Sequence, residues 1–372
     1  MAKSGKIILA RAGSGKTYHI ANAFDEKKSV LFITFTNQNV ANIKNEIRQR
    51  FSNIIPNNIE VITYTSFLYS WIIRPLETLL PFENIRSRGV DIFKEPVPHT
   101  NPPKKGYIKD DKIGHYLNPA NNRYYASRMS KLIIKNKKIL KPLIEERLSL
   151  LVDTIYIDEF QDFKGEDFDL LMLLMKSKKV YTVAVGDFYQ HSVAMTSSKS
   201  GKPYKKRKVF VSEEEFCLSK LKSLEVDRET LKKSRRVPSN ICSIIEKKLG
   251  IDILSCNEKK GSFKYIIDFD ELEQLLIDEG CVKLVYRKAE AFPYQPAINW
   301  SYCKGDTYSK VLVILTEPYK KFSEENYIIP KNTSQAEVNK LYVALTRSNN
   351  ELYICTKNFF DLFNKQKITK GE

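Results

Sequence analysis

Short apolar runs alternate along the chain with polar turns and with stretches of helical spacing. Ile7-Ile8-Leu9 reads as a strand, and Tyr18 to Phe24, after a glycine-rich turn, reads as a helix. Two more buried strands are predicted at Val152–Ile157 and Val180–Val185, each running directly into a polar turn. Met129 to Leu148 has the spacing of one amphipathic helix. Later in the chain come an apolar stretch from Ile241 to Leu249, another from Phe263 to Phe269, a short helix, and a strand from Val282 to Tyr286. No run of 18 apolar residues occurs, so no membrane-spanning helix is expected.

Composition adds class and partner. At about 150 residues per domain, 372 residues imply two or three domains. With 42% hydrophobic and 11% aromatic residues the chain builds cores, which excludes a disordered basic tail. Lys plus Arg number 61 against 44 Asp plus Glu, and the net charge of +17 favours a polyanionic partner. The six cysteines are scattered, with no Cys-x-x-Cys pair and no histidine at metal-ligand spacing. They read as buried free thiols of a reducing compartment, and the protein as cytoplasmic.

The turn after the first strand carries chemistry. Ala10-Arg11-Ala12-Gly13-Ser14-Gly15-Lys16-Thr17 between a strand and a helix is the context of a phosphate-binding loop, with Ala10 where a first glycine is usual. Backbone amides of Ala12, Gly13, Ser14 and Gly15 would wrap a phosphate at the helix N-terminus, Lys16 would reach the β and γ oxygens, and the Thr17 hydroxyl would face Mg²⁺. The strand at 152–157 delivers Asp158-Glu159-Phe160-Gln161-Asp162. There Asp158 suits Mg²⁺ and Glu159 suits a water-activating base. Gln190, after the strand at 180–185, is placed to sense a γ-phosphate.

Taken in order, these segments resemble the motifs of UvrD/Rep-type superfamily 1 DNA helicases. Asp158-Glu159-Phe160-Gln161-Asp162 is similar to their D-E-x-Q-D form of Walker B, and Gly186-Asp187-x-x-Gln190 to their third motif. Ile33-Thr34-Phe35-Thr36-Asn37 resembles the T-F-T-N segment, and Thr63-Tyr64-Thr65-Ser66-Phe67 the T-x-H-S-F segment with Thr65 in place of His. Leu231 to Arg236 resembles the fourth motif with Ser234 in place of a tyrosine, Tyr302 to Thr307 the fifth, and Leu341-Tyr342-Val343-Ala344-Leu345-Thr346-Arg347 the sixth. The glutamine-bearing segment that usually reads adenine has no counterpart before Ala10.

The resemblance implies an α/β fold of two RecA-like P-loop NTPase domains with parallel sheets, plus a small basic, mainly helical insertion in the first. The expected boundaries are 1–72 with 148–225 for the first domain, 73–147 for the insertion and 226–372 for the second. ATP and Mg²⁺ are the implied cofactors, held between the two domains, with Arg235 and Arg347 as arginine fingers. Gln161 and Gly305 join the implied nucleotide-binding set. Phe35, Thr36, Asn37, Thr63, Tyr64, Thr65 and Ser301 are the implied contacts to a nucleic-acid strand, with Phe35 and Tyr64 as base-stacking rings and buried packing as the rival for both.

From Lys94 to Arg147, 13 basic residues face 5 acidic ones, with Tyr107, Tyr116, Tyr124 and Tyr125 interleaved. That mixture suits a single-strand-binding surface, against the alternative of a merely solvated basic helix. A second basic cluster, Lys199, Lys202, Lys205, Lys206, Arg207 and Lys208, reads either as a strand-facing loop or as a solvated one. The expected activity is ATP-driven translocation on single-stranded DNA or a tailed duplex, 3′ to 5′ by resemblance alone. A nucleic-acid-stimulated ATPase without unwinding activity is the alternative. A protein partner such as a nuclease or replication component is compatible with either, and a membrane with neither. The compact form also suits a phage or mobile-element protein.

Overall fold

The computed structural model describes residues 5–83, 85–193, 200–206, 209–256 and 260–370. Two compact units divide the chain: one comprises 1–8, 16–186 and 195–227, the other 9–15, 187–194 and 228–372. The turn at 9–15 and the segment 187–194 group with the second unit, and residues 73–147 group with the first.

The first unit is built on a six-stranded sheet. Its strands are β1 (Gly5–Leu9), β2 (Val30–Thr34), β3 (Ile59–Thr63), β4 (Thr154–Ile157), β5 (Tyr181–Gly186) and β6 (Glu225–Asp227), in spatial order β6-β1-β5-β4-β2-β3. Pairing is parallel from β6 to β1 and from β5 through β4 and β2 to β3. Parallel neighbours require crossovers, and α1 (Lys16–Asn22) and α2 (Asn37–Arg50) supply the first two. Strands β2 and β4 are buried at every position, as a sheet covered on both faces demands.

The insertion departs from its expected form. Helix occupies its two ends, while 80–125 is mostly irregular around a three-stranded sheet whose strands hold two or three residues each. The single helix expected from Met129 to Leu148 is two, α3 (Met129–Lys135) and α4 (Lys137–Leu151), divided at Asn136. The Asn136 amide side chain donates to the Leu132 carbonyl (2.9 Å), a local bond that competes with helix continuation. Tyr116, Tyr124 and Tyr125 are buried, so these rings pack instead of offering faces to bases. The Tyr124 hydroxyl donates to Glu77 (2.9 Å) and that of Tyr116 to the Asp110 carbonyl (2.9 Å).

The second unit holds a five-stranded, wholly parallel sheet. Its strands β7 (Ser262–Tyr265), β8 (Cys281–Val285), β9 (Ala297–Asn299), β10 (Tyr308–Ile314) and β11 (Ser348–Cys355) stand in the order β7-β11-β10-β8-β9. Helices α5 (Ser239–Leu249), α6 (Phe269–Ile277) and α7 (Gln335–Leu345) cover it. One core joins Ile241, Ile245, Trp300, Leu341 and Val343, and a second gathers Leu272, Leu276, Cys281 and Phe363. The fold class is α/β with parallel sheets, as expected. Five cysteines are buried and Cys256 is exposed, the exception to the expectation of buried thiols. Among the described residues no helix is long and apolar enough to cross a membrane.

Candidate nucleotide-binding site

In the first unit the chemistry gathers at the carboxyl ends of the parallel strands, where open α/β sheets hold their ligands. Lys16 and Thr17 begin α1, and Asp158 and Glu159 follow β4. The Thr17 hydroxyl lies 3.5 Å from Asp158 Oδ2, and Lys16 Nζ lies 3.5 Å from Glu159 Oε1. Asp158 is 1% exposed, and its Oδ1 accepts the Glu159 backbone N–H (2.9 Å). Glu159 itself sits in the left-handed region, φ 56° and ψ 45°. A residue with a side chain held in this conformation at the carboxyl end of a central strand marks a place where strain is held for geometry.

Gln161, fully buried, donates its side-chain amide to Glu159 Oε2. It occupies the second position of the 160–162 turn and presses against β5: a Cβ on Gly186 would collide with Gln161 Oε1 and lie 3.0 Å from Phe160 N. Glycine ends β5 because any side chain there would displace the glutamine that holds Glu159.

The strand-contacting candidates of this unit stand beside one another because β2 and β3 are neighbours, with Thr34 opposite Thr63. Thr36 caps α2 by accepting the Asn39 N–H (3.1 Å), Asn37 is exposed, and Thr63 accepts the Ser66 N–H (3.2 Å). Thr65 is half-buried. The rings of Phe35, Tyr64 and Phe163 form a triad with centroids 4.7 to 5.4 Å apart. Tyr64 is 5% exposed, its hydroxyl shares a hydrogen bond with Ser130 (2.9 Å), and burial holds its pKa well above the usual tyrosine range. Packing is what the Tyr64 ring does here; half-buried Phe35 is the ring nearer to solvent.

The second unit holds the glycine turn and its own polar network. Gly13 (φ 73°) and Gly15 (φ 85°) take left-handed conformations that let the loop curl. The loop is tied down through Arg11 N–H to the Leu231 carbonyl (3.0 Å) and through Arg235 N–H to the Gly13 carbonyl (2.9 Å). A Cβ on Gly15 would lie 3.7 Å from Arg235 Cδ and Nε, so that exposed side chain lies along the loop. Ser234, buried where the resemblance expects a tyrosine, accepts the Val237 N–H (3.0 Å), and its hydroxyl would lie 2.7 Å from a Cβ on Gly13.

Tyr342, which sequence reasoning passed over, is the hub. Its hydroxyl accepts the Ala12 N–H (3.0 Å) and donates to Asp187 Oδ2 (2.9 Å). Burial and the Asp187 carboxylate hold that hydroxyl protonated well above the usual tyrosine range. Asp187 also accepts the Gln190 side-chain amide (2.9 Å) and the Tyr189 N–H (3.1 Å), so Gln190 is buried and turned onto Asp187. The only hint in the sequence was a tyrosine inside an apolar helical run.

Arg347 is 1% exposed, and its guanidinium donates to the carbonyls of Val343 (2.8 Å), Cys303 (3.3 Å) and Asp306 (3.2 Å). As placed, it fastens the 303–306 turn to α7. Gly305 in that turn has φ 97°, and Ser301 stands half-buried beside fully buried Trp300. Burial, with Arg347 alongside, lowers the Arg236 pKa to about 10, which leaves it charged at neutral pH. Of the second basic cluster, Lys199, Arg207 and Lys208 lie outside the described residues; Lys202 pairs with Asp169 (2.7 Å) and Lys206 with Glu215 (3.9 Å).

No protein-family model matches the chain, and no curated protein matches it. Among solved structures it is similar to the crystal structure of Arterivirus nonstructural protein 10 (helicase), with 13% identity, 97% of this chain and 61% of that chain covered, and a TM-score of 0.47. It is likewise similar to the complex of Arterivirus nonstructural protein 10 (helicase) with DNA, with 13% identity, 98% and 62% covered, and a TM-score of 0.49. The chain therefore spans less than two thirds of the length of those proteins.

The glycine turn fits a phosphate, and Thr17 with Asp158 fits a divalent cation. Ser14 Oγ is buried with no hydrogen-bond partner among the described residues, in a loop already curled by two left-handed glycines. Thr17 and Asp158 offer a hydroxyl and a carboxylate, the hard oxygen donors that Mg²⁺ prefers. Among the described residues no group of three His, Cys, Asp or Glu forms a metal cage.

Proposed function

We propose that the protein is an ATP-hydrolysing motor that moves along single-stranded DNA, as its motif order suggests. The observation that carries this reading is the pairing of Lys16 with Glu159 and of Thr17 with Asp158 at the carboxyl ends of the first unit's strands. Lys16 and the amides of 12–15 would hold the phosphates, and Thr17 and Asp158 would hold Mg²⁺, which supplies neutralisation of phosphate charge. Glu159 takes the proton of the attacking water on its carboxylate, and Gln161 keeps that carboxylate aimed. Arg235, lying along the loop, is the better placed of the two arginine candidates to meet a phosphate. Phe35, Thr36, Asn37, Thr63 and Thr65 would touch the strand, with movement 3′ to 5′.

Hydrolysis is to be measured with and without oligothymidylate, duplex and RNA, together with displacement of a tailed duplex. Lys16→Ala and Glu159→Gln should each lower turnover by roughly 10²-fold or more with the circular dichroism spectrum unchanged. Full activity in either variant would remove the assignment. Stimulation by DNA without strand displacement would select the ATPase that does not unwind.

A further inference from the structure

A groove of about 620 Å³ lies on the first unit, between the start of α4 and the helix α8 (Glu166–Met175) that follows the Asp158-Glu159 turn in the chain. None of its residues belongs to the candidate site. Its floor is aliphatic, made by Ile134, Pro142, Met172 and Leu173, and its rim is cationic. Two rim lysines are engaged: Lys202 with Asp169 (2.7 Å) and Lys141 with Glu145 (3.9 Å). Lys137, Lys138 and Lys176 are exposed and form no ion pair among the described residues. Pro142 has no N–H for the Lys138 carbonyl, so a backbone acceptor at the rim lacks its helical donor.

We propose that this groove docks an acidic segment of a partner protein that presents apolar side chains to the floor. Three uncompensated cations on one rim repel one another, and a run of Asp and Glu relieves that repulsion. Charge alone would suit a nucleic-acid strand equally. A strand, however, is held by rings on which bases stack, and among the described residues no aromatic side chain lines the groove. Aliphatic walls beneath a charged rim match an amphipathic helix whose apolar anchors recur every three or four residues.

The test uses the full chain and three fluorescent probes: a synthetic helical peptide with Glu and Asp on one face and Leu on the other, the same peptide with Ser for Leu, and oligothymidylate. By anisotropy the Leu peptide should bind about tenfold or more tighter than the Ser peptide, as burial of one or two leucines implies. Charge reversal by Lys137→Glu, Lys138→Glu and Lys176→Glu together should weaken the Leu peptide by about tenfold or more. The same change should move oligothymidylate affinity by less than about twofold, because the proposed strand contacts lie elsewhere. Leu173→Gln, which leaves the charge intact, should erase the preference for Leu over Ser. Equal binding of the two peptides, or a peptide affinity indifferent to the lysines, would overturn the proposal. Loss of oligothymidylate binding with the peptide unaffected would assign the groove to the nucleic-acid path instead.

Discussion

Glu159 is held at φ 56°, where a residue with a Cβ costs about 1–2 kcal/mol relative to the right-handed region. Glycine would sit there without that cost, yet only a carboxylate can face Lys16 and take a proton from water. Glu159→Gly should therefore be about 1 kcal/mol more stable than Glu159→Ala in urea unfolding, since both lose the same carboxylate and only one keeps the Cβ. Equal stabilities would mean that the backbone there is not strained. At this scale the meeting of Lys16 with Glu159 and of Thr17 with Asp158 was legible, because a glycine turn and an acidic strand end stand out in residue type. The Arg347 environment was not legible. An arginine in a motif does not reveal that carbonyls of Val343, Cys303 and Asp306 will occupy its guanidinium.

Helix α7 reaches the 9–15 turn through the Tyr342 hydroxyl, which serves a turn amide and a carboxylate together. Tyr342→Phe leaves the buried Ala12 N–H without this acceptor and Asp187 without this donor. The change should cost about 1–3 kcal/mol of stability and raise KM for nucleotide more than it lowers kcat, measured by thermal unfolding and steady-state hydrolysis. Unchanged stability would show that the hydroxyl is replaceable by water. Elements themselves were largely readable: β1, β4 and β5 fall within a few residues of their expected positions because buried parallel strands are nearly continuous apolar runs. The break at Asn136 and the burial of Tyr116, Tyr124 and Tyr125 escaped pattern reading. Alternation of tyrosine with cations looks the same whether the rings face a strand of nucleic acid or a small core.

The molecule as a whole carries +17, so association with a nucleic-acid strand should be steeply salt-dependent. If about three phosphates are neutralised, the logarithm of affinity for oligothymidylate should fall with the logarithm of salt with a slope near −2, or roughly tenfold for each threefold rise in salt. A slope near zero would contradict phosphate contact altogether. The α/β class was readable from motif order, which runs through both parallel sheets. The second unit is assembled from three separated stretches, 9–15, 187–194 and 228–372. A gene segment encoding only 228–372 would supply the Tyr342 hydroxyl without Ala12 or Asp187, and a core from which Ala12 is missing. Expressed alone, that segment should unfold at lower denaturant than the corresponding transition of the intact chain. This unit is therefore no cassette that recombination could lift out and graft onto another protein; it is inherited together with the first unit or lost with it.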